Sequence, residues 1–538
     1  MGDGRWRFAL GEGVPARAFR DRAAPGRPYP PPVGGGSLAP MSASEKPGFR
    51  GSAVVVLLRG HGTDLETWWV RRSDAVSVMP GFDAFPGGTV EPSDAELPIE
   101  GATDHGERAL RACAIREAFE ETGVLIGLSA RTNCAPGRLL EARQSLLAGA
   151  VTFPRLAWEC GWRFRADALT FAGRWRTPPF NPMRFDASYF LARVPEGQEP
   201  NVHGAELASG EWIGPLAALD RYHAGRATFV TPILHTLLAL SEGEDDLPAR
   251  LAEGPELAAY PVRRMEFKWG IVLHPMKTRP LPPATHTNAY LVGERELALV
   301  DPGSGDPDEL ESLSTLLEML RVEDRRLKLI LLTHHHPDHA GGVAAVQQRW
   351  RVPVAAHPET ARRLNVDQVL ADGERVSLAP GLGDWDLRLL HTPGHARGHL
   401  AFLHERTRSL FCGDLIPGGR GTVILDPPDG ELVPYLASLE RLLTEPVETL
   451  FPAHGSPQGA APQRIRWLIQ HRLTRERLVL DALGADLQEL PALVERVYAD
   501  TPGELWAYAE RTLLAHLLKL EAEGRATRER DRWRLARA

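Results

Sequence analysis

The segment Thr333-His334-His335-His336-Pro337-Asp338-His339-Ala340-Gly341-Gly342 puts four imidazoles and one carboxylate into six consecutive positions. Imidazole nitrogens and carboxylate oxygens are ligands for divalent first-row metals, so metal chemistry is the natural use. Side chains alternate faces along an extended segment, which lets His334 and His336 point the same way. Asp338 and His339 follow on the turn that Pro337 begins, giving a second metal position beside the first. A surface polyhistidine is the bland alternative. Three later residues argue against it: His395 in His391-Thr392-Pro393-Gly394-His395, Asp414 in Phe411-Cys412-Gly413-Asp414, and His454 in Phe451-Pro452-Ala453-His454, each closing an apolar run. A second constellation lies upstream, where Glu117, Glu120 and Glu121 share one face of a helix expected over 107–122. Carboxylates at that spacing repel each other unless a cation sits between them, and Mg²⁺ favours such oxygen sites. For the Glu cluster alone, a solvated helix face is the competing reading.

The first set resembles the metallo-β-lactamase superfamily, whose His-x-His-x-Asp-His motif, later His, Asp and last His occur here in the same order. The resemblance implies that His334, His336 and His395 hold one metal, that Asp338, His339 and His454 hold a second, and that Asp414 bridges them. It also implies two Zn²⁺ or other divalent ions, an αββα sandwich, and Asp338 among the catalytic groups. Asp301, in Leu299-Val300-Asp301-Pro302-Gly303, matches the family's first motif and is expected to orient a ligand rather than bind metal. True β-lactamases with two zincs commonly carry Cys where Asp414 stands. An oxygen ligand there favours phosphodiester, thioester or other ester hydrolysis. Cys412 reads as a small buried residue, and His335 and His399 as neighbours of the site or surface residues, not ligands.

The second set resembles the Nudix box. Gly88, Asp94 in place of the usual Glu, and the block Arg116-Glu117-Ala118-Phe119-Glu120-Glu121-Thr122-Gly123-Val124 match its pattern. The loop from Asp94 to Arg116 is longer than the pattern, as in the coenzyme A diphosphatase branch of Nudix proteins. The resemblance implies Mg²⁺ or Mn²⁺ on Glu117 and Glu121, catalytic roles for Glu120 and Glu121, and Arg116 as an orienting partner for a Glu. Its substrate would be a small diphosphate linked to a nucleoside or coenzyme A.

The elements that must position these residues follow from hydrophobic pattern. Strands are expected over 53–58, 68–71, 169–176, 185–194, 288–292, 298–300 and 329–332; helices over 308–320 and 343–349. Gly123 is placed to cap the acidic helix, and Arg184 at a strand end could meet a phosphate. The stiff loop 177–182 could border a substrate pocket. The reading is an α/β multidomain chain: a disordered segment 1–50, with Met41 an alternative start; a Nudix α/β/α sandwich over 51–240; a linker over 241–259; a metallo-β-lactamase fold over 260–460; and a helical tail over 461–538. By His471-Arg472, Arg475-Glu476, Val497-Tyr498 and Ala515-His516-Leu517-x-Lys519-Leu520-x-x-Glu523-Gly524, the tail resembles the winged-helix-like C-terminus of the lactamase-beta-like 2 group, animal single-stranded RNA endonucleases. Arg464, Arg466, Arg472, Arg475 and Arg477 are its candidate RNA contacts.

Composition bounds the rest. The 538 residues are 43% hydrophobic with net charge −8, which excludes a bulk polyanion binder. Cysteines at 113, 134, 160 and 412 show no paired spacing, so a reducing, cytoplasmic setting is expected. No stretch is long and apolar enough for a membrane span or a secretory signal. The functional expectation is a bifunctional metal-dependent hydrolase, with single-stranded RNA a candidate partner. Alternatives are a glyoxalase-type thioesterase in the second domain, or one domain kept as a non-catalytic nucleotide- or RNA-binding module. Oligomeric state is not set by the sequence.

Overall fold

The computed structural model describes residues 49–536 apart from 77, 103, 130–135, 178–183, 253–262, 281–283, 380, 382 and 420. The N-terminal segment up to 48, the loop 178–182 and the domain start expected near Tyr260 lie outside the described residues.

The β-branched run at Val54-Val55-Val56 builds the long strand Phe49–Arg59. It is the centre of a seven-stranded sheet, parallel to Arg184–Arg193 and antiparallel to Glu66–Arg72 and Gly87–Thr89. Its residues alternate faces. Ala53, Val55 and Leu57 pack with Ala114, Ala118 and Phe119 of the acidic helix His105–Thr122. Val56 and Leu58 pack against Leu237 and Leu240 of the helix Thr231–Ser241 on the other side. The acidic helix starts where the Asp104 carboxylate accepts from the Glu107 N–H at 2.8 Å, and stops at Gly123 with φ 78°. The expected linker needs correction. Over Leu247–Ala252 it is a helix whose Leu247 and Leu251 are buried in the first domain's core, because those two leucines lie one helical turn apart on one face.

The second domain stacks two sheets. One has seven strands in chain order from Met265–Lys268 to Gln368–Val369; the other has five, from Arg375–Leu378 to Thr449–Pro452. Their facing sides share a core containing Leu331, Val300, Leu389 and Phe451. The helix Pro307–Val322 covers the outer face of the first sheet, and Leu432–Leu442 with the start of Ala461–Ala482 covers the second. This is an αββα sandwich.

The two domains are packed together. Phe82 of the first domain is buried in the core of the second, its ring edge-on to Phe267 at 5.9 Å. The Pro80 carbonyl accepts from the Gly459 N–H at 2.9 Å, and the Tyr222 hydroxyl donates to the Glu266 carbonyl at 3.1 Å. Phe82→Ala should therefore cost about 3–5 kcal/mol at the joint. In calorimetry we expect the variant's first transition to fall in temperature and separate from the second.

The tail holds the helices Ala461–Ala482, Leu490–Val497 and Trp506–Ala522 and a three-stranded sheet that includes the wing strands Ala526–Glu529 and Arg532–Leu535. Trp533 is fully buried at its centre. The expectation of five RNA-facing arginines is corrected for three of them. Arg464, Arg472 and Arg475 are buried, and they donate to Pro417 O, Val423 O and the Asp500 carboxylate respectively. Arg464 and Arg472 tie the tail to the loop around residues 417–423, and Arg475 closes an ion pair within the tail. Arg466 and Arg477 are exposed. Among the described residues, no helix is long and apolar enough to cross a membrane.

Candidate metal centre and acidic-helix site

The strand Arg326–Leu331 ends just before Thr333, and the short helix Pro337–Ala340 begins after His336. The strand end and helix start present His334, His336, Asp338 and His339 to one point. The loop after the strand Trp385–His391 brings His395, the end of Ser409–Gly413 brings Asp414, and the end of Thr449–Pro452 brings His454. His334 Nε2 lies 2.9 Å from His336 Nδ1, which lies 3.0 Å from His395 Nε2. Asp414 is 3.4 Å from His339 Nε2, 3.3 Å from His454 Nε2 and 3.5 Å from His395 Nε2, and His454 Nε2 is 3.3 Å from Asp338. Ligand atoms around a tetrahedral zinc at about 2.0–2.1 Å stand about 3.3 Å apart, so the spacing fits a metal. Two triads are separable: His334 with His336 and His395, and Asp338 with His339 and His454, and Asp414 faces both.

Electrostatics supports the same fit. Burial holds the His334 and His336 imidazoles neutral, His336 down to about 3, leaving lone pairs for a cation. Burial works against ionising Asp414, yet His454 and His339 hold its carboxyl well below the usual range. In the chain alone, protons on these two imidazoles balance the carboxylates. Burial disfavours each proton, but Asp414 with Asp301 raises His339, and Asp414 with Asp338 raises His454 to about 10. His339 Nε2 is buried without a hydrogen bond, the kind of orphan a metal satisfies.

The outward nitrogens are fixed by the scaffold. Asp301 accepts from Thr333 N at 2.8 Å and from its hydroxyl at 2.6 Å, and lies 2.9 Å from His339 Nδ1. His395 Nδ1 donates to Ile424 O and His454 Nδ1 to His286 O, each at 3.0 Å. These bonds aim each Nε2 inward. Asp301→Asn should keep the fold but weaken metal retention about 10–100-fold in a chelator competition. His399 is fully buried; its Nε2 accepts from Asp414 N at 3.2 Å while its Nδ1 lies 2.8 Å from Thr392 Oγ1, so it positions the Asp414 loop. His335 Nε2 accepts from Arg363 at 2.8 Å beside Asp429. Cys412 is buried and bonded to Ile416 O. Backbone partners such as Ile424 and His286 leave no signal in a sequence. His399 was signalled only by its place four residues after His395.

In the first domain, the Arg116 guanidinium is buried and holds the acidic residues in register. It donates to both Asp94 oxygens at 2.8 and 3.1 Å, to Glu117 at 2.8 Å, to Glu120 at 3.0 Å and to Thr89 O at 2.9 Å. Asp94 therefore reaches Arg116 in spite of the long loop. Glu121 accepts from Gly87 N at 2.9 Å. A Cβ on Gly88 would stand 2.1 Å from a Glu117 oxygen, so only glycine lets the carboxylate lie against this strand. Burial pushes Glu117 up to about 7 despite Arg116, and pushes Glu121, with Glu117 beside it, up to about 8. Two buried carboxylates whose charged forms burial penalises are a donor set suited to a hard divalent cation. Glu206 adds to that negative field, a contribution the sequence did not flag.

The family model of the metallo-β-lactamase superfamily matches residues 282–454, that of the β-lactamase-associated winged helix domain residues 490–533, and that of the NUDT19 Nudix domain residues 97–239. A Drosophila melanogaster protein described as a β-lactamase-like protein 2 homolog is 32% identical over 257 residues, covering 44% of this chain and 83% of that one. An atrochrysone carboxyl ACP thioesterase of Claviceps purpurea is 32% identical over 238 residues, covering 42% and 70%. The crystal structure of a Nudix hydrolase from Alicyclobacillus acidocaldarius is 33% identical with a TM-score of 0.34, across 38% of this chain and 98% of that one. The chain spans 65% of the length of one further curated relative and 59% of another.

Proposed function

The chain belongs to the metallo-β-lactamase superfamily and carries a Nudix domain ahead of that fold, and from this premise we propose that it is a two-centre hydrolase acting on acyl-coenzyme A-type molecules. The first centre cleaves a diphosphate and the second an acyl thioester. The observation that carries the reading is the convergence of two ligand triads on Asp414. A bound pair of divalent cations, zinc in this proposal, supplies Lewis-acid polarisation and a water acidic enough to ionise near neutral pH. The chain's own part is to orient. Asp338, beside His454, holds the attacking water and receives its proton, while Asp301 and His399 keep His339 and Asp414 in place. In the first domain Glu117 and Glu121 hold Mg²⁺ or Mn²⁺, and Glu120, steadied by Arg116, faces the attacking water.

Thioester rather than RNA cleavage is favoured by the tail, because three of its five candidate contacts are buried, two on carbonyl groups of the hydrolase and one on Asp500 within the tail. The Claviceps relative named as a thioesterase supports the same class. The test is thiol release from short-chain acyl-coenzyme A by the full chain, run beside cleavage of a labelled single-stranded RNA. The proposal expects thiol release, insensitive to charge reversal at Arg466 and Arg477. RNA cleavage without thiol release would replace it with the nuclease reading.

A further inference from the structure

The tail reaches the metal centre through a single peptide unit. After Asp414 the chain runs as a loop to the helix Leu432–Leu442, and the middle of that loop packs on the tail. Val423 and Leu425 are buried in one core cluster with Ile465, Leu468 and Ala515 of the tail helices, while Ile424 between them is half-buried. The peptide joining Ile424 to Leu425 is bonded on both sides. Its carbonyl accepts from His395 Nδ1 at 3.0 Å, and its N–H donates to the Thr512 hydroxyl oxygen at 3.3 Å. A trans peptide is planar, so its C=O and N–H point opposite ways and turn together. Thr512, buried in the helix Trp506–Ala522, therefore sets the direction of the carbonyl that sets His395. The preceding peptide is held too, because Arg472 donates to the Val423 carbonyl at 2.5 Å. The same guanidinium stands 5.2 Å from the centre of the Tyr435 ring, and the Tyr435 hydroxyl donates to the carbonyl of Leu415, the residue after Asp414, at 3.1 Å.

A carbonyl can only accept, so the bond to Ile424 keeps a proton on His395 Nδ1 and leaves the lone pair on Nε2, the atom 3.0 Å from His336. Donation from the Leu425 N–H to Thr512 polarises that amide and makes its carbonyl the stronger acceptor. His339 and His454 are tethered to Asp301 and to the His286 carbonyl, both within the αββα sandwich. The tether of His395 continues into the tail. We propose that the tail is part of the first metal position, with Thr512 and Arg472 as positioning residues that set His395 through the backbone from Val423 to Leu425. The inference rests on the dinuclear reading of the centre and deepens it, since retention of one ion then depends on a domain that holds none of the proposed ligands.

The test is competition for zinc between a chelator and the full chain, run in two backgrounds. Asp338→Ala leaves the triad of His334, His336 and His395 complete, and His395→Ala leaves that of Asp338, His339 and His454 complete. Thr512→Val keeps the side-chain shape but leaves the Leu425 N–H without its partner. It should weaken zinc retention about tenfold in the Asp338→Ala background and leave it within about twofold in the His395→Ala background. Thr512→Ser keeps the hydroxyl and should hold zinc as the parent does. The second background is the control for a fold loosened as a whole, which would release zinc from either triad. Equal retention by Thr512→Val and its parent in the Asp338→Ala background, or an equal loss in both backgrounds, overturns the proposal. A wild-type chain that holds no zinc overturns the dinuclear reading and this proposal with it, whereas two ions held equally well by wild type and Thr512→Val overturn this proposal alone.

Discussion

Asp414→Ala lowers hydrolysis at the second centre by about a thousandfold or more, a loss of about 4 kcal/mol of transition-state stabilisation. The size follows from position. Asp414 is the carboxylate within 3.5 Å of His339, His395 and His454, so its removal takes a shared oxygen ligand from both triads at once. It also leaves the imidazoles without the charge that offsets a cation's neighbours, which should show as lower metal content. Turnover of diphosphate substrates by the same variant is expected to remain within about twofold of wild type, because Arg116, Glu117, Glu120 and Glu121 do not touch this site. Thioester hydrolysis by Asp414→Ala at the wild-type rate would remove Asp414 from the centre.

Glu121→Gln, and likewise Glu117→Gln, should lower diphosphate hydrolysis at least about a hundredfold, or about 2.7 kcal/mol. Gln keeps the volume and leaves one carbonyl oxygen, but removes the negative charge that makes the pair a cation site. Folding should survive the exchange, because burial already penalises the charged form of Glu121. The variant's thermal transition is therefore expected at or above that of wild type when no divalent ion is added. Thioester hydrolysis should be unaffected. A parallel loss of both activities would contradict two independent centres.

Much of this was legible in the sequence because metal ligands need side chains at set positions. The run from His334 to His339 carries its geometry in its spacing, and the Arg116 to Gly123 block announces a helix with one acidic face and a glycine stop. Periodicity likewise placed the helices of 308–320 and 343–349 within two residues of their observed ends. What was not legible depends on contacts between distant segments. The helix Leu247–Ala252 is too short to show a period, and Phe82 looked like any loop aromatic until the second domain's core closed over it. The tail arginines misled for a related reason. Arg464, Arg472 and Arg475 recur at near-helical spacing, which marks a face, but a sequence does not say whether that face meets solvent, a phosphate or the chain's own carbonyl groups. Here it meets Pro417, Val423 and Asp500.

The most direct measurement is the metal content of the purified chain and of Asp338→Ala, by inductively coupled plasma mass spectrometry after dialysis against metal-free buffer. Two complete triads predict about two zinc ions per wild-type chain and about one in the variant, since only the triad of Asp338, His339 and His454 is broken. Equal metal content in the two proteins, or a wild-type chain that retains none, would contradict a dinuclear centre.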